Sequence, residues 1–396
     1  MEYQKVRVSE TGASFLRKGQ LFMYRNNLLN AEEGIEDGDV VEIIEESGEY
    51  VATGFYSGVS HIAVRILSHD KNAVIDAAYL EKKIRFAVDY RKSVVGAQWD
   101  NCRLIYGEAD GLGGLTADRY DDILVTQISC SGVERRKKEI YELLLKVIPE
   151  VKYIYERNDI EVRRKEGLPL YKGFYGEKSS PVRVITENGI KITVDVENGQ
   201  KTGYFLDQKN NRMLVQKLSY NKRVLDCFSH TGGFALNAAK GGAKSVTAVD
   251  VSKTALDQGY CNAKQNALED KIRFVQADVF EYLKEIKRGE FDLIILDPPA
   301  FTKSRRTVDH AYQGYLEINE RAMDLLESGG FLASCSCSRY MENELFEKML
   351  LEAAEKSGVT LKQVSISQQN SDHPILWTMN KTQYLKFYIF QIVRED

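Results

Sequence analysis

Four aspartates lie at the ends of four successive apolar segments in the second half of the chain. The segments are VLDCF with Asp226, TAVD with Asp250, VQAD with Asp278 and IILD with Asp297. A carboxylate in the position of Asp250, about 20 residues beyond the first strand, can accept the two hydroxyls of a ribose. The segment ending in Asp278 is placed to reach an adenine amino group. The four acids therefore predict a site for a nucleoside-containing cofactor.

A glycine-containing loop, Ser229-His230-Thr231-Gly232-Gly233, follows the first of these segments and opens a predicted helix. Glycine lets the backbone approach a ligand closely, and the first N–H groups of a helix point toward it. The loop lacks the GxGxxG spacing of a dinucleotide fold, and the chain has no GxxxxGK[ST] phosphate loop. A TGG loop with one acid at each strand end is typical of Rossmann-like S-adenosylmethionine-dependent methyltransferases. The cofactor residues predicted from this pattern are Asp226, Phe228, Ser229, Thr231, Gly232, Gly233, Asp250, Val251, Asp278, Val279 and Asp297.

Short apolar segments alternate with helical segments from about residue 191. Strands are favoured by RVLDCF, SVTAVDV, IRFVQAD, FDLIILD and GGFLASCS, and helices by ALNAAKGG, TALDQGYCNAKQNAL, VFEYLKEI and INERAMDLLES. Such alternation predicts a parallel sheet with helices on both faces, and ligands bind at the carboxyl ends of its strands. Residues 191–396 are therefore predicted to form a Rossmann-like domain.

Two further parts precede this domain. Residues 1–72 carry alternating segments such as DVVEIIEE, VATGFYSG and HIAVRILS between turn signals, which predict a small β-rich unit. Residues 73–190 mix strands with helices, among them a predicted helix at 80–92, and favour a small α+β middle domain. The sequence thus predicts a multidomain α/β protein.

Composition excludes several classes of protein. A length of 396 residues favours two or three domains, and 43% hydrophobic with 28% charged residues is ordinary for a globular chain. No apolar run approaches the roughly 18–20 residues of a membrane-spanning helix, and the N-terminus carries no secretory signal. The six cysteines show no disulfide framework and no CxxC pairs, so we expect reduced thiols, no metal site and a cytoplasmic protein. The net charge of −4 argues mildly against a nucleic-acid partner.

The whole chain nevertheless resembles a family of bacterial 23S rRNA methyltransferases that make 5-methylcytosine and carry an N-terminal PUA domain. The stretches that carry the resemblance are RLIYGEADGLGGLTADRY (103–120), GYFLDQKNNR (203–212), VLDCFSHTGGFAL (224–236), DPPAF (297–301), SCSCS (334–338), DHP (372–374) and YLK (384–386). The resemblance implies a PUA-like RNA-binding domain at 1–72, a small middle domain at 73–190 and an S-adenosylmethionine-dependent methyltransferase domain at 191–396. Its PUA-like part has a net charge of −5, which is unusual for an RNA-binding module.

The family's chemistry implies a nucleophilic cysteine. Carbon 5 of cytosine is too weak a nucleophile to attack a methyl sulfonium until a thiolate adds to carbon 6. The family places this cysteine before a serine in the motif matched by CSCS, and Cys337 holds that position. Two other interpretations stay open: Cys337 is a buried core thiol, or Cys335 and Cys337 form half of a metal site whose second ligand pair is absent from the sequence. Cys335 is expected to pack in the core.

The resemblance implies roles for further residues. Asp297 of DPPAF is expected to contact the cytosine edge or the departing proton, or else to position the loop before Pro298. DPPAF carries no cysteine, so the base that assists release of the enzyme stays unassigned. Gln208 matches a glutamine that touches the methionine end of the cofactor in related enzymes, or else sits in a capped turn. The expected RNA contacts are Lys303, Arg305, Arg306 and His373.

The leading hypothesis is methylation of cytosine carbon 5 in 23S rRNA through a Cys337 adduct. The expected partner is 23S rRNA or a large-subunit assembly intermediate, with no membrane partner and with a homodimer as an option. The alternative enzyme is an rRNA guanine methyltransferase, whose relatives lack a cysteine at the CSCS position. The alternative without catalysis is an RNA-binding ribosome-assembly factor that retains a cofactor fold.

Overall fold

The computed structural model describes residues 3–302 and 304–395. The chain forms two compact units. Unit 1 contains the chain up to Ile185 together with Val194–Leu206 and Ser371–Thr382. Unit 2 contains Thr186–Thr193, Asp207–Asn370 and the chain from Gln383 onward. Segments close to the C-terminus are therefore divided between the two units.

Unit 1 contains a six-stranded sheet near its N-terminus. Its strands are β1 (Gln4–Val8), β2 (Phe22–Tyr24), β3 (Leu28–Ala31), β4 (Val40–Glu45), β5 (Tyr50–Tyr56) and β6 (Ile62–Ser68), in the order β2-β6-β5-β4-β1-β3. The β-rich prediction for this part is confirmed. Helix α1 (Glu10–Arg17) was not predicted; it begins after Ser9, whose hydroxyl caps it by accepting from Gly12 N.

A five-stranded sheet follows in the same unit. Its strands are β7 (Asn101–Tyr106), β8 (Leu115–Tyr120), β9 (Ile123–Ile128), β10 (Tyr153–Asn158) and β11 (Tyr171–Tyr175), in the order β11-β10-β9-β8-β7. The helices are α2 (Ala77–Val95), α3 (Ser131–Arg135), α4 (Lys137–Val147) and α5 (Val162–Lys165). The predicted apolar stripe of α2, which includes Leu80 and Ile84, is buried in the core of this sheet. Val40, Phe55 and Leu67 from the first sheet join that core.

Unit 2 is built around a seven-stranded sheet. Its strands are β14 (Arg223–Cys227), β15 (Ser245–Asp250), β16 (Ile272–Gln276), β17 (Leu293–Leu296), β18 (Phe331–Ser336), β19 (Thr360–Ser367) and β20 (Lys386–Val393), in the order β16-β15-β14-β17-β18-β20-β19. Its helices are α6 (Lys209–Leu218), α7 (Gly233–Lys240), α8 (Lys253–Gln265), α9 (Val279–Glu285), α10 (Val308–Leu325) and α11 (Asn343–Lys356). Strands β12 (Val182–Glu187) and β13 (Ile190–Asp195) form a separate two-stranded sheet.

The five strands β14 to β18 are parallel, as the β–α alternation predicts. The difference from the prediction lies beyond β18, where β20 pairs antiparallel with β18, and β19 pairs antiparallel with β20. This pairing sets Cys335 opposite Phe387 and Ser336 opposite Lys386. Helix α10 also begins ten residues before the predicted segment at 318.

The division into domains at residues 72 and 190 stays a prediction. No helix within residues 3–302 and 304–395 combines the length and the low polarity needed to cross a membrane.

Candidate active site

The loop between β14 and α7 has an unusual backbone. Phe228, His230 and Gly232 have φ angles of 62°, 49° and 78°, all in the left-handed region. For residues with a Cβ this conformation costs about 1–3 kcal/mol, and it persists only where surrounding contacts impose it. The contacts here are backbone hydrogen bonds from Ser229 N to Val249 O (3.0 Å) and from Gly232 N to Ser229 O (2.8 Å). Strain of this kind concentrates at ligand sites, which agrees with the predicted role of the loop.

Two acids accept hydrogen bonds from the backbone of this loop and of the segments next to it. The buried Asp226 accepts a hydrogen bond at Oδ2 from Ala235 N in α7 (2.9 Å), and burial raises its pKa well above the ordinary range. Asp250 accepts at Oδ2 from His230 N (2.9 Å) and at Oδ1 from Ser252 N (2.8 Å). The predicted acids at the ends of β14 and β15 therefore fix the backbone of the loop.

Buried polar atoms in the loop fit a polar ligand. Among the residues that the structure describes, the hydroxyl of Ser229 and Oδ1 of Asp226 are buried and have no hydrogen-bond partner. Such groups are rare in native proteins because desolvation without a partner costs free energy, and each calls for an explanation. A nucleoside cofactor with hydroxyl and amino groups supplies both donors and acceptors. The loop therefore fits S-adenosylmethionine.

The remaining predicted cofactor residues lie around the same edge of the sheet. Asp278 caps α9, and its Oδ1 accepts from Phe280 N (2.8 Å) and Glu281 N (3.3 Å). The Val279 side chain is only 1% exposed, so its main chain alone is left for a ligand, whereas Val251 is 63% exposed. The ring of Phe228 packs edge-on against Phe280 and Phe301. The half-buried Thr231 and Gly233 complete the loop.

Gln208 joins three elements of unit 2. It precedes α6 and is 3% exposed. Its Nε2 lies 2.9 Å from Asp297 Oδ1, just past β17, and 3.1 Å from Cys335 Sγ in β18. Its Oε1 accepts from Asn211 Nδ2 at 2.6 Å. Gln208 is also the N-cap residue of α6, although its side chain makes no cap hydrogen bond there, and both interpretations of its role stay predictions.

The two cysteines of the CSCS segment have different environments. Cys335 is 1% exposed, and burial raises the pKa of its thiol well above the ordinary value. Cys337 follows the last residue of β18 and is half-buried, with its Sγ 3.9 Å from the carbonyl oxygen of Pro298. The structure therefore brings Cys337 next to the DPP segment at the carboxyl ends of β17 and β18.

A buried polar cluster surrounds the backbone that follows Cys337. The hydroxyl of Tyr315 in α10 lies 3.1 Å from both Ser336 Oγ and Ser338 Oγ. Lys386 Nζ donates to the carbonyl oxygen of Ser338 at 2.8 Å. Lys386 belongs to the YLK motif, but its role was not predicted, because its approach to Ser338 depends on the antiparallel pairing of β20 with β18.

The predicted RNA contacts that the structure describes belong to different units of the chain. Arg305 and Arg306 are exposed in a short 3-10 segment after DPPAF, and Lys303 lies outside the described residues. His373 belongs to unit 1 and is 3% exposed. Its Nδ1 lies 2.7 Å from Asp372 Oδ1, and its ring packs against Tyr106. A role for His373 in RNA binding stays a prediction, and in this structure its ring is buried.

No cluster of three or more His, Cys, Asp or Glu side chains suited to a metal ion occurs in the part of the chain that the structure describes.

The Rossmann-like sheet, the strained loop after β14 and the acids at the strand ends define a class I methyltransferase. The family model described as S-adenosylmethionine-dependent methyltransferase matches residues 174–386, and the model of a PUA-like domain matches residues 6–69. A curated relative from Aeromonas salmonicida, named ribosomal RNA large subunit methyltransferase I, is 42% identical over 92% of this chain and 93% of its own length. The chain belongs to the ribosomal RNA large subunit methyltransferase I family, and its cofactor is S-adenosylmethionine.

Solved structures share the fold. A chain described as an S-adenosylmethionine-dependent methyltransferase from Streptococcus mutans superposes with a TM-score of 0.82 at 24% identity, over 99% of this chain and 100% of that chain. A structure described as a methyltransferase complexed with S-adenosylhomocysteine has a TM-score of 0.83 at 24% identity, with the same coverage. Both predicted features, a PUA-like domain and a class I methyltransferase domain, are thus confirmed.

Proposed function

We propose that this enzyme methylates carbon 5 of a cytosine in 23S rRNA through a covalent adduct between Cys337 and carbon 6. The observation that carries the proposal is the position of the Cys337 thiol, half-buried at the end of β18 and 3.9 Å from the Pro298 carbonyl. The curated relatives are named for methylation of large-subunit ribosomal RNA, which supports the class of substrate. The alternative, guanine methylation, needs no thiol at this place.

The thiol solves a specific chemical problem. Addition of the Cys337 thiolate to carbon 6 forms a C–S bond and moves the electron pair of the 5,6 double bond toward carbon 5. S-adenosylmethionine, when bound, supplies the electrophilic methyl group. Carbon 5 then takes this methyl group in a new C–C bond, while the bond between the methyl group and the cofactor sulfur would break and leave S-adenosylhomocysteine. The carbon-5 hydrogen leaves as a proton to a base, and the returning electron pair restores the double bond and expels the thiolate. Cys337 is thus regenerated.

Asp297 is the second proposed catalytic residue. Its carboxylate accepts from Gln208 Nε2 and stands beside Pro298, whose carbonyl approaches the Cys337 sulfur. This placement supports a contact between Asp297 and the edge or the departing proton of a cytosine held by Cys337. The proposed cofactor residues are those of the loop after β14 and of the strand ends, together with Gln208.

Access to carbon 6 requires the cytosine to leave its stack and enter the pocket. The exposed Arg305 and Arg306 follow the DPPAF segment and are proposed to neutralise phosphates near the extruded base. The proposed partner is 23S rRNA or a large-subunit assembly intermediate, met in the cytoplasm through the PUA-like domain. We also propose that the enzyme forms a homodimer, and sedimentation of the purified enzyme tests this.

The test measures methyl transfer from labelled S-adenosylmethionine to total rRNA from cells that lack the protein, with the product identified by nucleoside mass spectrometry. The wild type should place label in 5-methylcytosine of 23S rRNA. Cys337→Ala should abolish transfer and retain S-adenosylhomocysteine binding. Cys261→Ala removes an exposed thiol in α8 and serves as the matched control, which should keep full activity. Label in a methylguanine, or transfer that survives Cys337→Ala, overturns the proposal.

A further inference from the structure

Lys386 is a buried cation beside the proposed nucleophile. It begins β20, and only 4% of its surface is exposed. Lysine is almost never fully buried without a compensating partner, because removal of an ammonium from water is costly. Within residues 3–302 and 304–395, no carboxylate lies within salt-bridge distance of Lys386. Its hydrogen-bond partner is the carbonyl oxygen of Ser338, at 2.8 Å.

The pairing of β18 with β20 explains this position. Ser336 lies directly opposite Lys386, so the lysine stands at the level of the strand where β18 ends and Cys337 follows. The lysine side chain then reaches the backbone of Ser338, one residue past Cys337. The ammonium group therefore holds the peptide segment that carries the proposed nucleophile.

We propose that Lys386 is a positioning residue for Cys337, whose ammonium group fixes the Ser338 carbonyl and places a positive charge that favours the Cys337 thiolate. This inference rests on the proposed function, in which the Cys337 thiolate is the attacking group. It assigns to the YLK motif a role that neither cofactor binding nor RNA binding accounts for.

The charges around Lys386 are consistent with this role. Burial lowers the pKa of Lys386 to about 8, while Cys335, Cys337 and Glu342 at the start of α11 act in the opposite direction. The Lys386 ammonium and a Cys337 thiolate therefore each favour the charged form of the other. Burial also raises the pKa of Tyr315 far above neutrality, so Tyr315 adds no charge to the cluster. Burial, followed by the effect of Asp297, raises the pKa of the Cys335 thiol.

The experiment measures the rate at which iodoacetamide alkylates Cys337 between pH 5.5 and 9.5, with each cysteine followed by peptide mass spectrometry. Only the thiolate reacts, so the profile reports the thiol pKa. In the wild type, the apparent pKa of Cys337 should lie below that of the exposed Cys261, which is the internal control in the same sample. A Cys337 value equal to or above that of Cys261 overturns the inference without any variant.

Two substitutions test the charge itself. Lys386→Met should raise the apparent pKa of Cys337 by roughly one unit and slow its alkylation at neutral pH about tenfold. Lys386→Arg keeps the charge and should restore most of the shift. Lys362→Met, at an exposed position of β19, is the matched control and should change nothing. A merely structural role of Lys386 would lower thermal stability without moving the Cys337 profile.

The two proposals fail in different ways. An unshifted Cys337 profile in folded Lys386→Met overturns the role of Lys386 and leaves Cys337 as the nucleophile. Methyl transfer that persists in Cys337→Ala overturns the proposed function, and with it the catalytic purpose of Lys386, whatever alkylation shows.

Discussion

Gln208 Nε2 lies 2.9 Å from Asp297 Oδ1, and the same nitrogen lies 3.1 Å from Cys335 Sγ. One amide therefore links the start of α6 to the ends of β17 and β18. Because Asp297 immediately precedes Pro298, this link also sets the position of the carbonyl that approaches Cys337. The buried half of the site is thus held together by a side chain from outside the sheet.

Gln208→Leu should damage both stability and activity. Loss of the amide removes a hydrogen bond from Asp297 and another from Asn211 in a buried place, which should lower the free energy of unfolding by about 1–3 kcal/mol. Misplacement of Asp297 should reduce methyl transfer by roughly a hundredfold. Urea unfolding and kcat/KM measure the two effects. Gln363→Leu, at an exposed position of β19, is the control and should leave both unchanged.

Cys335→Ala should behave differently from Cys337→Ala. Cys335 is 1% exposed and its thiol contacts Gln208, so we expect a loss of about 1–2 kcal/mol in stability with methyl transfer retained within about tenfold. Cys227→Ala, in β14, is the control, because it removes an equally buried sulfur. It measures the loss of stability that a smaller core residue causes by itself. Abolished transfer in Cys335→Ala, with transfer retained in Cys337→Ala, would exchange the roles of the two thiols.

Gly232→Ala tests the backbone of the cofactor loop. Gly232 has a φ of 78°, and an added Cβ would lie 3.3 Å from Phe274 Cε1. Gly358 has a φ of 60° and open space around its Cβ position, so Gly358→Ala carries the backbone cost alone. We expect each change to cost about 1–2 kcal/mol in stability, with only Gly232→Ala also weakening the binding of S-adenosylhomocysteine. Calorimetric titration measures that affinity, and equal affinities in the two variants would contradict the assignment of the loop.

Stability should depend on pH through Lys386. Burial lowers its pKa to about 8 in the native protein, from an ordinary lysine value of 10.5. Between these values the unfolded chain binds more protons than the native one, so the free energy of unfolding contributed by this group rises with pH. Urea unfolding from pH 7 to 10 should show the wild type gaining stability relative to Lys386→Met above pH 8. If the free energies of unfolding of the wild type and of Lys386→Met change with pH in parallel across this range, the native pKa of Lys386 is not lowered.

Much of the methyltransferase fold is visible in local patterns. Apolar segments bounded by Gly, Asp and Pro mark the strands β14 to β18, because a strand buried on both faces needs a short continuous apolar run. The loop with Gly232 and the acids at Asp250 and Asp278 follow from the same pattern, because ligands bind where parallel strands end. The class of fold and the identity of the cofactor were therefore predictable from the amino-acid sequence by itself.

No short segment of the sequence predicts the arrangement of side chains around Cys337. Gln208 meets Cys335 across 127 residues, and Lys386 meets Ser338 across 48. The antiparallel insertion of β20 between β18 and β19 brings Lys386 to this place, and the local sequence of a strand does not specify which distant strands will flank it. The position of His373 also depends on a distant contact. Its neighbour Asp372 accepts a hydrogen bond from the backbone N–H of Arg103, 269 residues earlier, and this contact holds the DHP segment in unit 1. Residue types and strand ends are read from short segments, whereas the partners of a buried polar group depend on which distant strands pair.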